Sequence, residues 1–452
     1  MVEIIKKLKN KFPTIIKHQW VSIGKRGENS VLNRDIYILA YGKKYIKRMT
    51  GLDQGCNNLL FINSEVFIDV DEFKKFSDEI IGRTIKNPIY FSKLSLKLIN
   101  SCNKIKKYSE QIKNKKFRGL KKESLKEIFS DSIEKLAELV SFSYLLQNQE
   151  EIPRRIIDFI LKKRKIMKRE IGLIREKLLT PIKKKTLFQE ESQNLFKIAE
   201  KIKQSGHSLK KLPKEIKNEI LSHIKKYDWI NSKYFNVQEV IYTETIERIA
   251  DFLKLKQRER GEEIAEDREK EFSQIVKRLK LTKNDLLLFN SVREQLYYKT
   301  LRKELIFLFS YAVRSLFLEI AKKEKLTYPE FISQTLDEIN NFFNRNIVKK
   351  QELVKRIKGF HYIFLEGKKI VIPVEDLKIT TAQRPKISIL KGTIGNRGRV
   401  QGVARVIKTK EELKEIKKGE ILVIDTVSPD HVKYLHEVSG IVTNAGGILS
   451  HA

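Results

Sequence analysis

The strongest constraint on folding in this chain is the run of residues 440–452, which reads GIVTNAGGILSHA. Residues 440–442 form a short apolar segment that is typical of the end of a buried strand. The Gly446-Gly447 pair follows, and because glycine has no Cβ, the backbone there can turn sharply and approach a ligand closely. Ser450 and His451 come directly after this turn. The pattern predicts a strand, a tight turn and the N-terminus of a helix that carries a histidine.

A histidine in this position has the chemistry of a phosphoryl carrier. Neutral imidazole is a nucleophile, and the backbone N–H groups of a helix N-terminus bind phosphate. Two simpler interpretations remain open on these residues alone. A Gly-Gly pair after an apolar strand also occurs in an ordinary strand-to-helix connection, and a Ser-His pair also occurs at a solvated helix start. His451 is therefore a candidate nucleophile.

The same run carries a spaced motif of polar residues and glycines, which consists of Thr443, Asn444, Gly446, Gly447, Ser450, His451 and Ala452. This motif resembles the phosphohistidine motif of the phosphoenolpyruvate-utilising enzymes, a family that includes phosphoenolpyruvate synthase, pyruvate phosphate dikinase and rifampicin phosphotransferase. The resemblance extends upstream. The glycine-bearing run 392–406 is similar to the first hairpin of the family's mobile, swivelling domain, 418–425 is similar to its second strand, and 428–430 opens a short helix.

The resemblance implies a role for each residue of the motif. In that family the histidine takes a phosphoryl group from a nucleotide-binding domain, and the mobile domain swings to deliver it to an acceptor at a separate site. His451 is implied as the catalytic nucleophile, the Gly446-Gly447 pair as the turn that admits phosphate, and Thr443 and Ser450 as neighbouring phosphate-binding hydroxyls. No metal ligand is implied in this chain.

The implied function is that of a phosphotransferase component similar to pyruvate, water dikinase. It would carry a phosphoryl group on His451 between a nucleotide or phosphoenolpyruvate site and an acceptor, which is pyruvate or another small molecule. Mg²⁺ with ATP is implied on a partner subunit or a missing nucleotide-grasping domain, since no nucleotide-binding loop is recognisable in this sequence. Because the sequence stops one residue after His451, we expect the carrier domain to be truncated, and either the natural polypeptide to continue or a partner chain to complete the sheet.

The net charge of +35 raises the alternative of an anionic partner. Residues 386–452 hold 11 basic and 7 acidic residues, so the excess of +31 lies before them, in runs such as 113–118, 162–165 and 183–185. No aromatic-interleaved RNA motif or zinc-binding pair accompanies these runs, so nucleic acid is not the favoured partner. The alternative function is a non-catalytic helical scaffold, or a protein binding nucleic acid or another anionic polymer, with a degenerate carrier domain.

Cysteine usage and hydropathy indicate a cytoplasmic protein. Cys56 and Cys102 form neither a metal-spaced pair nor a disulfide framework, which favours a reducing compartment. The first residues lack the apolar core and the cleavage site of a signal peptide. The longest apolar stretch, 305–321, is interrupted by Arg314 and Glu319 and is too short to cross a bilayer. We therefore expect no membrane association.

The patterning predicts a multidomain, mainly α protein. Strand-like runs at 20–23, 36–41, 58–62 and 66–70 predict a small N-terminal α/β module over 1–72. A central helical bundle is predicted over 73–375, followed by a polar linker over 376–385, where a swivelling domain needs a joint. Residues 386–452 are predicted to form the incomplete α/β swivelling phosphohistidine domain.

Within the helical body, apolar residues at alternating steps of three and four predict one long amphipathic helix over 151–179. Further helices are predicted over 187–204, 213–226, 239–257, 262–279, 283–297, 299–323 and 328–344, and a β segment over 359–373. Arg293, Arg302 and Arg314 have two interpretations. They contact phosphate, or they form salt bridges with carboxylates such as Glu304 and Glu319.

Overall fold

The protein is described here from a computed structural model. The structure describes residues 8–9, 11–25, 30–62, 64–146, 151–178, 182, 184–254, 260–343, 349–377, 392, 398–407, 411–424, 427, 435 and 437–443. Thr443 belongs to this part of the chain. Gly446, Gly447, Ser450 and His451 lie outside the described residues, as do most of the predicted linker 376–385 and the residues 428–430 that are predicted to open a short helix.

The described residues are mainly helical. The α-helices are α1 Val31–Tyr41, α2 Lys43–Thr50, α3 Val70–Lys86, α4 Pro88–Lys113, α5 Lys122–Leu146, α6 Glu151–Lys163, α7 Lys168–Leu178, α8 Leu187–Gln204, α9 Lys214–Lys226, α10 Tyr242–Lys254, α11 Arg260–Arg278, α12 Lys283–Ala312, α13 Arg314–Lys323, α14 Tyr328–Ile332, α15 Leu336–Phe343 and α16 Lys350–Lys358. The strands are β1 Trp20–Lys25, β2 Leu59–Ile62, β3 Glu65–Asp69, β4 Phe360–Leu365, β5 Lys368–Pro373, β6 Ala404–Ile407, β7 Ile421–Ile424 and β8 Gly440–Thr443.

Strands from both ends of the helical body form one antiparallel sheet of order β1-β3-β2-β4-β5. The register aligns Leu59 of β2 with Phe364 of β4. The sheet therefore joins the predicted 1–72 module to the predicted 73–375 body. Both segments also contribute to the same main hydrophobic core, so residue 72 does not separate two cores.

The prediction of strands at 20–23, 58–62 and 66–70 is confirmed by β1, β2 and β3. The strand predicted at 36–41 is wrong, because these residues belong to α1. Ser30 begins this helix, and its side chain accepts a hydrogen bond from the backbone N–H of Asn33 at 3.2 Å. A short apolar run fits a buried helix as well as a buried strand, and here the cap upstream decides between them.

The single helix predicted over 151–179 is also wrong, because the chain forms α6 and α7 with a break between them. Lys165 in this break has a φ of 56°, a left-handed conformation that ends a helix. Arg164 leaves the apolar seam, and its guanidinium donates to the carbonyl oxygen of Lys280 at 2.8 Å and pairs with Asp285. The charged residue in the seam therefore marks a helix end that contacts the start of α12.

Three other helix boundaries differ from those that the periodicity predicts. The segments predicted as 283–297 and 299–323 form the 30-residue helix α12 and then α13, with Val313 between them. Thr282 and Asp285 form a capping box at the start of α12. The segment predicted as 328–344 is divided into α14 and α15. The helix predicted over 187–204 is confirmed by α8.

The core is centred on α4 and α12, which pack against each other along much of their length. Buried polar groups link the two helices. The Ser95 hydroxyl donates to the carbonyl oxygen of Ser291 at 3.2 Å, and the Gln295 side-chain amide donates to the Ser95 hydroxyl at 3.1 Å. Among the described helices, none combines the length and apolar character needed to span a bilayer.

A buried carboxylate attaches α1 to the sheet. Asp35 is fully buried and accepts hydrogen bonds from the Tyr362 hydroxyl at 2.7 Å and from the backbone N–H of Leu336 at 2.6 Å. The Lys369 ammonium lies 3.0 Å from the same carboxylate. Burial, followed by the charge of Asp35, raises the pKa of Tyr362 well above its usual value. The carboxylate therefore joins α1 to the start of α15 and to the β4-β5 hairpin, both of which are distant from α1 in sequence.

His361 on β4 is predicted to make stability depend on pH. The ring is fully buried, its Nε2–H donates to the carbonyl oxygen of Leu377 at 3.0 Å, and Nδ1 is buried without a hydrogen-bond partner in the described structure. Burial lowers the pKa of His361 below its usual value. The folded state therefore binds fewer protons than the unfolded state. Its contribution to stability is complete above about pH 6.5 and is lost as pH falls below that value.

The measurement is urea unfolding of the wild type and of His361→Phe at about pH 7 and at about pH 5. Phenylalanine keeps the aromatic volume but has no group that titrates. We expect the free energy of unfolding to fall less on acidification in the variant than in the wild type. An equal fall in both proteins would contradict the prediction.

Candidate functional site

The C-terminal strands form a parallel sheet of order β6-β7-β8. The register places Ile407, Ile424 and Thr443 side by side at the carboxyl ends of the three strands. In open α/β sheets, ligands bind in the crevice outside the carboxyl ends of the strands. Thr443, which is half-buried, is the one predicted site residue that the structure describes. It lies at this edge, and the Gly446-Gly447 pair follows it in the sequence.

This geometry agrees with the predicted strand. The predicted turn and helix N-terminus lie outside the described residues. The apolar segment 440–442 is in β8, and the segment predicted as a second strand, 418–425, contains β7. A chain leaving β8 at Thr443 begins its next connection at the carboxyl edge of the sheet. The roles of Gly446, Gly447, Ser450 and His451 stay predictions, because these residues lie outside the described part of the chain.

The two faces of this sheet differ in burial. One face buries Leu422, Ile424 and Ile407 in a small apolar cluster with Leu413 and Val427 from the connections between strands. On the opposite face a row of valines crosses the three strands, and the outer two, Val406 and Val442, are 60% and 54% exposed. Consecutive parallel strands with right-handed connections place those connections on the same face. The order of the strands thus explains the one-sided burial.

An ion pair fixes β6 to β7 at their amino ends. The Arg405 guanidinium donates two hydrogen bonds to Glu420, at 2.6 and 2.7 Å, and the backbone N–H of Lys417 donates to Glu420 at 2.9 Å. The hydrogen bond from Arg405 is the main cause that lowers the pKa of Glu420 to about 2. Sequence reasoning missed this pair. The available signal was a lone arginine within an apolar strand and a lone glutamate just before the next strand.

The glycines of the run 392–402 have a packing explanation at Gly402. A Cβ on Gly402 would lie 2.3 Å from the carbonyl oxygen of Gly419, which is closer than any real contact. Gly419 itself has a φ of 90°, in the left-handed region that favours glycine. Similarly, a Cβ on Gly440 would lie 2.9 Å from the side chain of Val400. The absence of side chains at Gly402 and Gly440 thus lets the amino ends of the strands approach closely, at the end of the sheet opposite Thr443.

Gly402→Ala is therefore predicted to loosen the C-terminal sheet. Inserting a methyl group into such a contact costs about 1–3 kcal/mol. Gly398→Ala is the matched control, because a Cβ at Gly398 would meet no atom within 4 Å. The measurement is hydrogen exchange of the backbone amides of β7. We expect much faster exchange in Gly402→Ala and wild-type exchange in Gly398→Ala. Equal exchange in the two variants would contradict the packing role of Gly402.

The three arginines of the helical body are in different environments. Arg293 pairs with Glu269, and its guanidinium lies 4.1 Å from the centre of the Phe272 ring. Arg314 lies 4.0 Å from Glu239. The Nε and one terminal nitrogen of Arg302 are buried without a hydrogen-bond partner in the described structure. The expected salt bridge is thus confirmed for Arg293, and Arg314 forms one at the limiting distance of 4.0 Å. Their partners, Glu269 and Glu239, are not the two glutamates that were predicted.

Glu304, predicted as a salt-bridge partner, binds a helix N-terminus instead. It accepts hydrogen bonds from the backbone N–H groups of Leu187 at 2.7 Å and Phe188 at 3.3 Å, at the start of α8. Burial outweighs these hydrogen bonds and raises the pKa of Glu304 to about 7. Within the described ranges, no group of three or more His, Cys, Asp or Glu side chains is placed to hold a metal ion. The expected Mg²⁺ with ATP therefore stays a prediction about a partner or a further domain.

Comparison with known proteins identifies the C-terminal segment. Residues 416–452 match the family described as PEP-utilising enzyme, mobile domain. A probable phosphoenolpyruvate synthase of Archaeoglobus fulgidus is 32% identical over 101 residues, which cover 20% of this chain and 13% of that relative. A phosphoenolpyruvate synthase of Aquifex aeolicus is 34% identical over 85 residues, which cover 19% of this chain and 10% of that relative.

The described C-terminal residues form a three-stranded parallel sheet, with a short 3-10 helix, Glu411–Glu415, between β6 and β7. Over residues 416–452 this segment matches the mobile domain of the PEP-utilising enzymes. The resemblance noted from the sequence is thereby confirmed. The predicted fold class is confirmed as well, with a mainly helical protein, an N-terminal antiparallel sheet and a C-terminal parallel sheet. The similarity to phosphoenolpyruvate synthases is partial, because the matched parts span 13% and 10% of the two relatives.

Proposed function

We propose that this chain carries a phosphoryl group on His451 between a nucleotide or phosphoenolpyruvate site and an acceptor. The observation that supports this most is the position of the family match. The matched residues 416–452 contain all the predicted site residues, which are Thr443, Gly446, Gly447, Ser450 and His451. The parallel sheet adds geometric support, because β8 ends at Thr443 on the edge where α/β sheets bind ligands.

The proposed chemistry is an in-line displacement at phosphorus. A ring nitrogen of neutral His451 forms the N–P bond while the P–O bond of the donor breaks, and the electron pair leaves with the donor oxygen. Backbone N–H groups after Gly447, with the hydroxyls of Thr443 and Ser450, stabilise the negative charge on the transferred oxygens. Transfer to the acceptor reverses these steps, with an acceptor oxygen as the nucleophile.

The donor site is proposed to lie on a nucleotide-grasping domain or subunit. There, Mg²⁺ bound with ATP supplies neutralisation of the phosphate charge. The names of the two relatives point to pyruvate as one acceptor to test first, and other small molecules with a hydroxyl or enolate oxygen come next. Such a reaction on soluble metabolites fits a cytoplasmic location.

A swivelling carrier needs a joint, and we propose that 376–385 contains it, between the 73–375 body and the 386–452 carrier domain. The body holds the chain up to this point. The backbone N–H of Val374 donates to the carbonyl oxygen of Gly359 at 2.9 Å, and the carbonyl oxygen of Leu377 accepts from His361 at 3.0 Å. Limited proteolysis should therefore cut first within the proposed joint, at Arg384, and leave α6 and α7 intact.

The test of the proposed function is the chemical stability of a phosphorylated form. The chain is incubated with phosphoenolpyruvate labelled on phosphate, and separately with γ- and β-labelled ATP, Mg²⁺ and a nucleotide-grasping partner. A phosphoramidate on histidine is hydrolysed by acid but survives base, whereas a phosphate ester of serine survives acid. We expect acid-labile, base-stable label. Label that survives acid, or no label from any donor, would overturn the proposal.

A further inference from the structure

A groove between three helices has the size of a small-molecule site. It lies between α2, α4 and α5 and has a volume of about 640 Å³. Ligand pockets in proteins commonly enclose about 300–1,000 Å³. Met49 and Phe142 lie at its floor, where they expose only 3% and 2% of their surfaces, so the apolar contact that the groove offers is small. The groove thus combines an apolar floor with an opening to solvent.

The opening of the groove is rich in hydrogen-bond donors. Three cations line it, Arg48, Lys97 and Lys104, against one carboxylate, Glu138. Two of the cations have acidic partners. Arg48 pairs with Glu134 at 2.8 Å, and Lys104 lies 3.3 Å from Glu138. The lining therefore retains an excess of positive charge after its ion pairs are formed.

Lys97 carries this excess charge. Its ammonium group donates to the carbonyl oxygens of Arg48 at 2.9 Å and Met49 at 3.0 Å, near the C-terminus of α2. These acceptors orient the side chain but are uncharged. An ammonium group has three donors, so one donor remains for a ligand in the groove. Lys97 is thus held in place and still attracts an anion.

Two exposed amides extend this donor surface along α4. Asn100 and Asn103 both line the groove and both are exposed. Asn100 comes three residues after Lys97, so the two side chains are neighbours on one face of the helix. An amide supplies two donors and one acceptor. The wall formed by α4 can therefore hydrogen-bond an anionic group beside Lys97.

We propose that this groove binds a small organic anion, with its phosphate or carboxylate group at Lys97 and Asn100 and its apolar part against Met49 and Phe142. The apolar floor favours an organic molecule over an inorganic ion. The volume of the open groove, about 640 Å³, matches that of a small-molecule site. The site is formed by α2, α4 and α5, outside the matched segment 416–452, and the proposal stands or fails independently of the phosphoryl carrier at His451.

The test is isothermal titration calorimetry of the full chain with four probes. Phenyl phosphate and benzoate combine an anionic group with an aromatic ring, whereas phenol has only the ring and inorganic phosphate has only the charge. We expect phenyl phosphate or benzoate to bind at least ten-fold more tightly than phenol and inorganic phosphate. The stronger of the two then identifies the anionic group. No binding of either compound, or equal binding of inorganic phosphate, would overturn the proposal.

The variant Asn100→Asp tests whether the anion binds in the groove. The change adds a carboxylate to the wall and is expected to weaken binding of phenyl phosphate or benzoate at least ten-fold. Lys93→Ala is the matched control, because it also changes the net charge by one unit, lies on the same helix and is exposed, but does not line the groove. We expect less than a two-fold effect from it. Asn103→Asp gives a second test if Asn100→Asp does not fold. Equal weakening by the groove variant and Lys93→Ala would assign the binding to general surface charge and overturn the proposal.

Discussion

Replacement of His451 by alanine is expected to remove the acid-labile phosphate from the chain. Alanine has no nucleophilic nitrogen, so the N–P bond cannot form at this position. Removing the nucleophile of a group-transfer enzyme commonly costs about 10⁶-fold in rate, so we expect label below detection. The measurement is the amount of base-stable, acid-labile label after equal incubation of the variant and the wild type with labelled phosphoenolpyruvate or ATP and its partner.

His207→Ala is the control for this substitution. His207 is an exposed histidine of the helical body, after α8, and lies outside the matched segment 416–452. Its replacement removes one imidazole from the chain and should leave the label unchanged. Label retained in His451→Ala would exclude His451 as the carrier. A parallel loss in both variants would indicate damage to the protein preparation instead, and hydrogen exchange at β7 distinguishes this case.

The C-terminal strands could be predicted from the sequence because their signals are local. An apolar run of three or four residues marks both β7 and β8, and the spacing of the glycines and polar residues between 440 and 452 carries the family resemblance. The match over 416–452 confirms that resemblance. Local patterns of this kind depend only on neighbouring residues and therefore remain readable in a single sequence.

Other features of the fold were not readable because they depend on partners distant in sequence. Arg164 interrupts the seam of a predicted helix, but its contact with the turn before α12 decides that the helix ends there. Arg405 and Glu420 each stand alone beside an apolar run in the sequence, but only the parallel register of β6 and β7 shows that they pair with each other. The helical α1 was mistaken for a strand because its buried surface, like that of a central strand, is apolar on more than one side.

The contacts of Asp35 could not be predicted from the sequence for the same reason, because the hydroxyl that binds it, that of Tyr362, lies 327 positions away. A buried carboxylate is costly unless it is paired and hydrogen-bonded. At Asp35 both oxygens accept hydrogen bonds, and Lys369 supplies the counter-charge at 3.0 Å. Burial lowers the pKa of Lys369, but the adjacent carboxylates outweigh it and raise that pKa above its usual value. The lysine therefore stays charged beside Asp35.

Asp35→Ala is consequently expected to destabilise the fold strongly. Breaking a buried ion pair by removing one partner costs about 3–5 kcal/mol, because the remaining charge and donors lose their acceptor. Here the variant leaves Lys369, the Tyr362 hydroxyl and the backbone N–H of Leu336 without that carboxylate. The measurement is chemical unfolding followed by circular dichroism, and we expect a large fall in the denaturant concentration at the midpoint.

Asp337→Ala provides the matched control, because Asp337 pairs with the same Lys369 ammonium at 3.1 Å but is 70% exposed. An exposed ion pair contributes about 0–1 kcal/mol, since water and salt screen it. We therefore expect Asp337→Ala to unfold close to the wild type and Asp35→Asn to fall between the two alanine variants, because asparagine keeps one acceptor oxygen without the charge. If Asp35→Ala were no more destabilising than Asp337→Ala, α1, β4 and β5 would have to be held together by apolar packing alone, and the buried carboxylate would have no structural role.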